Sequence, residues 1–275
     1  MTGMDPWVSA FERMSARHWQ ATEQACLGGW LLRAAGGFTG RANSALPLGD
    51  PGLPAERAVD QVEAWYRQRG LQPMIVIAAG LRAAAGPLDD LLARRGWPMR
   101  QAPALVMTAR TEAVAAGPPD RTGPPDRTGP APAAPPRPAG SPDPAGPEFA
   151  AEPDGDWLAA YRYRGQPLPP HALPVLLSAP VQVFASVRRG GRTVATGRLS
   201  VADGWGGITA VEVDPAWRRA GLGTAVTAGL AAQAAARGAG RLFLQVEEGN
   251  TAARALYARC GFTARHRYHY RVAPG

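Results

Sequence analysis

The chain has 275 residues, room for two domains of ordinary size, each with its own core. Its formal charge is +8 and all 30 cationic residues are Arg, but they are scattered rather than massed in one patch, which argues against a nucleic-acid binder or a membrane-surface protein. Two thiols, Cys26 and Cys260, exclude a disulfide framework and a cysteine-based metal site, and with neither a leader pattern nor an apolar run of bilayer length a cytoplasmic, metal-free protein is expected.

Residues 5–25 carry Trp7, Phe11, Met14 and His18 near helical spacing and predict a first helix with a core-facing stripe. Residues 28–37, bounded by glycines, predict a strand, and residues 41–48 the next, ending at the turn Gly49-Asp50-Pro51-Gly52. Pro54 opens a helix in which Val59, Val62, Trp65 and Tyr66 recur at three and four, closed by Gly70. A strand over 74–79, a helix over 88–95 capped by Gly96, and a strand over 104–108 follow. From Gly117 to Pro147 the composition shifts to Pro, Gly, Ala, Asp and Arg, with Pro118-Pro-Asp-Arg-Thr-Gly123 repeated as residues 124–129; nothing there can offset the entropy of ordering, so a flexible linker is expected.

Beyond it, residues 156–163 and 170–178 predict two short helices, and 181–188 with 192–201 a hairpin across Gly190-Gly191. A central strand over 208–213 leads to the loop Arg218-Arg-Ala-Gly-Leu-Gly223 and a helix striped by Leu222, Val226 and Leu230 that Gly238 ends. A strand over 242–246, a helix from an Asn250 N-cap through Arg259, and a strand over 266–272 complete the chain. The loop reads as an anion site: Gly221 and Gly223 remove side chains where a ligand meets the backbone, the N–H groups from Arg219 through Thr224, Ala220 and Leu222 included, face the ligand at a helix N-terminus, and Arg218 and Arg219 add charge.

Arg218-x-x-Gly221-x-Gly223, preceded by Val211-x-Val213-x-Pro215 and followed by Asn250-x-x-Ala253-x-x-Leu256-Tyr257-x-x-x-Gly261-Phe262, resembles the two motifs of the GNAT N-acetyltransferase superfamily. The resemblance implies a mixed α/β fold whose sheet splays at its central strand and is flanked by helices. It implies acetyl-CoA as co-substrate, with its pyrophosphate on the loop, its pantetheine arm along the bulged backbone of Val211, Glu212 and Val213, and a polar contact from Asn250. A free amine then attacks the thioester, with Tyr257 as the acid and a carboxylate, acting through water, as the base. Strand alternation puts Glu212 opposite Val211 and Val213, and Glu247 opposite Leu244 and Val246, so either can be that base, with Glu212 favoured. Trp157, Tyr161, His266, Tyr268 and Tyr270 are candidates for the acceptor pocket.

The order strand, helix, strand, helix, strand occurs in both halves, and Leu91-Leu-Ala-Arg-Arg-Gly-Trp97 matches Leu256-Tyr-Ala-Arg-Cys-Gly-Phe262. We expect two tandem copies: a degenerate GNAT-like domain over 1–110, a linker over 111–147 and a catalytic domain over 148–275. Leu92 stands where Tyr257 stands, so the first copy lacks the acid. The expected partner is a small-molecule or peptide amine, with no nucleic acid or membrane; a homodimer is compatible with this. A different class, an acyl-CoA-binding regulatory pseudoenzyme, predicts coenzyme binding without turnover.

Overall fold

The computed structural model describes residues 6–80, 85–100, 103–117, 146–163 and 165–275. The first helix, α1 (Pro6–Ala16), is shorter than its periodicity predicts. Two tertiary hydrogen bonds override the propensity: His18 Nδ1 meets Ser200 Oγ at 2.9 Å, and Trp19 Nε1 donates to Thr39 Oγ1 at 2.9 Å, which pulls the chain off the helix axis. The polar segment that follows is β1 (Glu23–Leu27), paired antiparallel with β2 (Trp30–Ala34). The glycines expected to bound a strand over 28–37 form the turn between β1 and β2, with Gly28 at φ 53. The strand expected over 41–48 shrinks to β3 (Leu46–Pro47) because the residues before it form a loop.

The remaining elements are α2 (Ala55–Arg67), β4 (Met74–Ala78), α3 (Ala85–Arg94), β5 (Ala104–Arg110), α4 (Thr111–Ala115), β6 (Glu148–Ala150), α5 (Gly155–Ala160) and α6 (Ala172–Leu176). They continue with β7 (Val181–Arg189), β8 (Arg192–Ala202), β9 (Trp205–Val213), a single turn Pro215–Trp217, α7 (Leu222–Ala235), β10 (Arg241–Glu247), α8 (Thr251–Arg259) and β11 (Thr263–Val272). The expected linker therefore begins later than residue 111, since α4 follows β5 directly; residues 118–145 lie outside the described residues.

One mixed sheet of eight strands runs β4-β11-β5-β10-β9-β8-β7-β6, in which β9 and β10 are parallel. β5 sits between β10 and β11, so the first half of the chain supplies strands to the sheet of the second. On one face α7 buries Val226 and Leu230 against Ile208, Leu242 and Leu244. The fit is close: a methyl group on Gly197 of β8 would lie 2.9 Å from Leu230 Cδ1, so glycine there lets α7 settle onto the sheet. The other face carries α1 through Phe11, which meets Phe243 edge-on at 5.3 Å.

The match between residues 91–97 and 256–262 has a local cause. Trp97 N donates to Leu92 O and Phe262 N to Tyr257 O, each across a glycine at positive φ. The same bond closes α2, from Leu71 N to Tyr66 O, and α7, from Ala239 N to Ala234 O. A glycine C-cap with a packed residue beyond it produces that sequence wherever a helix returns to the sheet. It carries no weight for a duplication.

Candidate active site

β9 and β10 pair only from Trp205 to Ile208 against Arg241 to Leu244. Further on they part, β9 staying with β8 and β10 with β5. The parting begins at a bulge: Thr209 pairs with Arg198 and Glu212 with Thr196, so Ala210 and Val211 share one residue of β8. Ala210 takes φ 55, a left-handed conformation that a non-glycine residue adopts at a cost of order 1 kcal/mol and that turns the strand away from its neighbour. The wedge left between the strands opens a cleft of about 340 Å³. Val211, Glu212, Glu247, Asn250 and Tyr257 all line it. The structure thus brings both candidate bases and the candidate acid to one concavity.

Tyr257 projects from α8 and packs its ring edge-on against Phe262, with centroids 5.9 Å apart. Burial pushes its phenol well above the usual range, with the nearby Cys260 and Glu212 adding to the rise. The hydroxyl therefore keeps its proton at neutral pH. Burial also raises the Glu212 carboxyl, while Arg218, 3.8 Å away, pulls it back down. Asn250 holds the start of α8: its Oδ1 accepts from Ala253 N at 3.0 Å. That oxygen is committed to the helix, so Asn250→Ala should cost about 1 kcal/mol in urea unfolding.

The loop ahead of α7 lies outside the cleft lining. Arg219 at φ 65 and Gly221 at φ 79 give it two left-handed residues, which turn successive N–H groups to one side. Gly221 is thus required by its backbone angle. Gly223 has a further local reason: a Cβ there would lie 2.7 Å from Leu256 Cδ1, so its lack of a side chain also suits the approach of α8. The Leu222 side chain is buried in the core, leaving only its N–H for an anion. Arg218 Nε donates to Val213 O at 3.3 Å, and the side chain is 59% exposed, so its charge faces solvent at the loop. Two left-handed turns, a helix N-terminus and exposed guanidinium charge make a donor set suited to a diphosphate.

A family model described as probable histone acetyltransferase Rv0428c C-terminal matches residues 8–120 and 137–271. The chain belongs to this family. It is a GNAT superfamily protein, an acetyltransferase of the GNAT type. It is 28% identical to the uncharacterized N-acetyltransferase YobR of Bacillus subtilis (strain 168), over 96% of this chain and 98% of that one. It is also 28% identical to the probable histone acetyltransferase Rv0428c of Mycobacterium tuberculosis, over 96% of this chain and 73% of that one. Among solved structures, a GCN5-related N-acetyltransferase from Kribbella flavida shares the fold with a TM-score of 0.62 at 17% identity, covering 97% of this chain and 95% of that one. A tandem GNAT protein from the clavulanic acid biosynthesis pathway shares it with a TM-score of 0.55 at 13% identity, over 84% and 76% of the two chains.

In this member of the Rv0428c C-terminal family the rest of the cleft is built by residues far apart in sequence. Tyr161, Tyr268 and Tyr270 line it as expected. Two other candidates do not. Trp157 is buried in the core and donates from Nε1 to Ala185 O at 3.0 Å, and His266, displaced by a bulge between Ala264 and His266, turns inward to Glu12, its Nε2 2.6 Å from Oε1. Sequence reading missed Thr39, Gly40 and Arg41, which the loop between β2 and β3 delivers to the same lining. A Cβ on Gly40 would lie 2.8 Å from Tyr270 Cζ, so the one local signal was a glycine whose reason is a contact 230 residues away. Among the described residues no group of acidic, His and Cys side chains could hold a metal, and no helix is long and apolar enough to cross a membrane.

Proposed function

We propose that this protein transfers the acetyl group of acetyl-CoA to a primary amine by direct attack. The observation that carries the reading is the splay of β9 from β10, with Glu212 and Tyr257 lining the cleft it opens. Acetyl-CoA supplies the activated acyl group. The loop from Arg218 to Thr224 would hold its diphosphate, and the backbone of Val211 to Val213, unpaired on its β10 side, would align the arm. Glu212, or Glu247 of the same cleft lining, takes the proton from the attacking ammonium through a water, and Tyr257 protonates the sulfur as the carbon–sulfur bond breaks. The first half of the chain, read as a degenerate tandem copy, serves this site by supplying one wall of the acceptor cleft.

Calorimetry with acetyl-CoA, followed by an amine panel read by mass spectrometry, tests the reading. Coenzyme binding without acetylation of any amine would make the protein a binding module instead.

The pH profile distinguishes the bases. Activity rises as Glu212 loses its proton, and because burial raises that carboxyl the rising limb should lie above the ordinary glutamate value of about 4.3. The raised phenol of Tyr257 leaves no falling limb at neutral pH. With a weakly basic amine that is already unprotonated across this range, Glu212→Gln should flatten the limb. If the limb persists and Glu247→Gln removes it, Glu247 is the base.

A further inference from the structure

One guanidinium of the cleft lining, that of Arg41, and two buried ones beyond the lining, those of Arg198 and Arg33, have no carboxylate partner among the described residues. Arg41 lies in the loop between β2 and β3, and that loop is organised around the buried Asn43. The Asn43 Oδ1 accepts from Ala35 N and Gly37 N at 2.7 and 2.8 Å, while its Nδ2 donates to Phe38 O and Thr39 O at 2.7 and 2.9 Å. The Arg41 guanidinium rests over the Trp19 ring, 4.7 Å from its centroid, and Nη1 donates to Gln245 Oε1 at 2.9 Å. Arg198, fully buried, lies 5.0 Å from the centroid of the same ring and donates to Leu176 O at 2.6 Å and His18 O at 3.4 Å. Arg33, also buried, donates to Ser44 O at 3.0 Å and Ser44 Oγ at 2.9 Å.

Each of these partners is a neutral oxygen, and among the described residues none of the three arginines makes an ion pair. Glu12, whose charge reaches Arg33, is held by His266 at 2.6 Å. A small recess of about 20 Å³ shares Arg41, Gln245, Tyr268 and Tyr270 with the cleft and adds Arg33. Cations taken out of water are tolerated when an anion completes them. The position fits the reaction: the charges of both Glu212 and Arg41 reach Tyr161, which lies in the lining with them.

We propose that the acceptor amine also carries a carboxylate, as an amino acid or a short peptide with a free C-terminus does, and that Arg41 receives that carboxylate while the amine faces Glu212. The proposal rests on the acetyltransferase reading above. Arg41 is preorganised for it: the Asn43 loop and Trp19 fix the guanidinium, Gln245 occupies one edge, and the remaining donors form a fork that matches a carboxylate. Arg33 and Arg198 supply a positive field behind it.

The test compares α- and ω-amino acids with their own carboxamides, and with a lysine-rich peptide amidated at its C-terminus. Converting the carboxylate to a carboxamide makes an α-amine less basic and so more available, so a preference for the acid cannot come from amine reactivity. We expect kcat/KM to favour the acid by about 10- to 100-fold, the usual range for a charged hydrogen bond, with the difference in KM. Arg41→Gln should bring the acid down to the level of its carboxamide, and Arg41→Lys, which keeps charge but loses the fork, should fall between. Calorimetry needs no turnover: an N-acetylated amino acid should bind the wild type more tightly than its carboxamide, and Arg41→Gln should erase that difference. If Arg41→Gln does not fold, the acid-to-carboxamide ratio of the wild type decides the matter alone. Equal use of acid and carboxamide, or preference for the amidated lysine peptide, overturns the proposal and leaves the transferase standing. Bound acetyl-CoA with no amine acetylated overturns both.

Discussion

Replacing Tyr257 by Phe is expected to lower kcat by roughly 100- to 10,000-fold while leaving the acetyl-CoA affinity unchanged. The departing thiolate needs a proton at the moment the carbon–sulfur bond breaks, and the Tyr257 hydroxyl lines the cleft from α8 with its proton held by burial. Phe is a clean probe here. The ring packs edge-on against Phe262, a contact that needs no oxygen, so the variant should fold and keep the cleft. On the proposed reading coenzyme affinity resides in the loop ahead of α7 and the β9 backbone, which the substitution does not touch. The check is single-turnover acetylation beside calorimetry with acetyl-CoA. A loss under roughly tenfold would identify Tyr257 as a packing residue and move the acid elsewhere.

The two motifs were legible because each is contiguous: a turn that needs a positive φ at Gly221, and a helix that opens on the Asn250 cap and carries Tyr257 on its second turn. Strand alternation also set Glu212 opposite Val211 and Val213, which pack on the α7 core, without reference to anything beyond local pattern. What failed was of another kind. The α1 boundary was set by His18 and Trp19 bonding to residues in other elements, and β1 is a polar edge strand whose place depends on the Gly28-Gly29 turn rather than on its own composition. Insertion of β5 between β10 and β11 leaves no periodicity to read. The place of Arg41 in the cleft was invisible for the same reason: it meets Gln245 across 204 positions, and each segment alone reads as an ordinary loop or strand. At Gly223 the motif hid a second reason for glycine, the approach of Leu256, which belongs to another helix.

Stability should fall steeply on mild acidification, and His18 should be the main single cause. Its ring is buried where α1 ends, edge-on to Phe243 at 4.9 Å, with Nδ1 2.9 Å from Ser200 Oγ. The Ser200 hydroxyl donates to Gly207 O, so Nδ1 of the imidazole is the donor toward Ser200, and Nε2 is left without a partner among the described residues. Protonating Nε2 would bury a charged ring beside the cation of Arg198. Burial lowers His18 from 6.5 to about 4; hydrogen bonding to the backbone of Ser200 and Ala202 and the charge of Asp203 offset part of the drop, and the Arg198 charge adds to it. With the folded value below the unfolded one, the unfolded chain binds the proton more tightly. The stabilisation is complete above pH 6.5 and drains away as pH falls toward 4, by roughly 3 kcal/mol over that window. Urea midpoints across pH 7 to 4 should show the loss, and His18→Gln, which keeps a donor for Ser200 but cannot titrate, should lose markedly less over the same range. Carboxylates such as Asp89, held low by its bonds to Arg271 and His269 against the pull of burial, contribute acid lability of the same sign, and they remain in the variant. The difference between the two curves therefore isolates the imidazole, and parallel curves would show that His18 accepts its proton without opening the junction of α1 with β8 and β10.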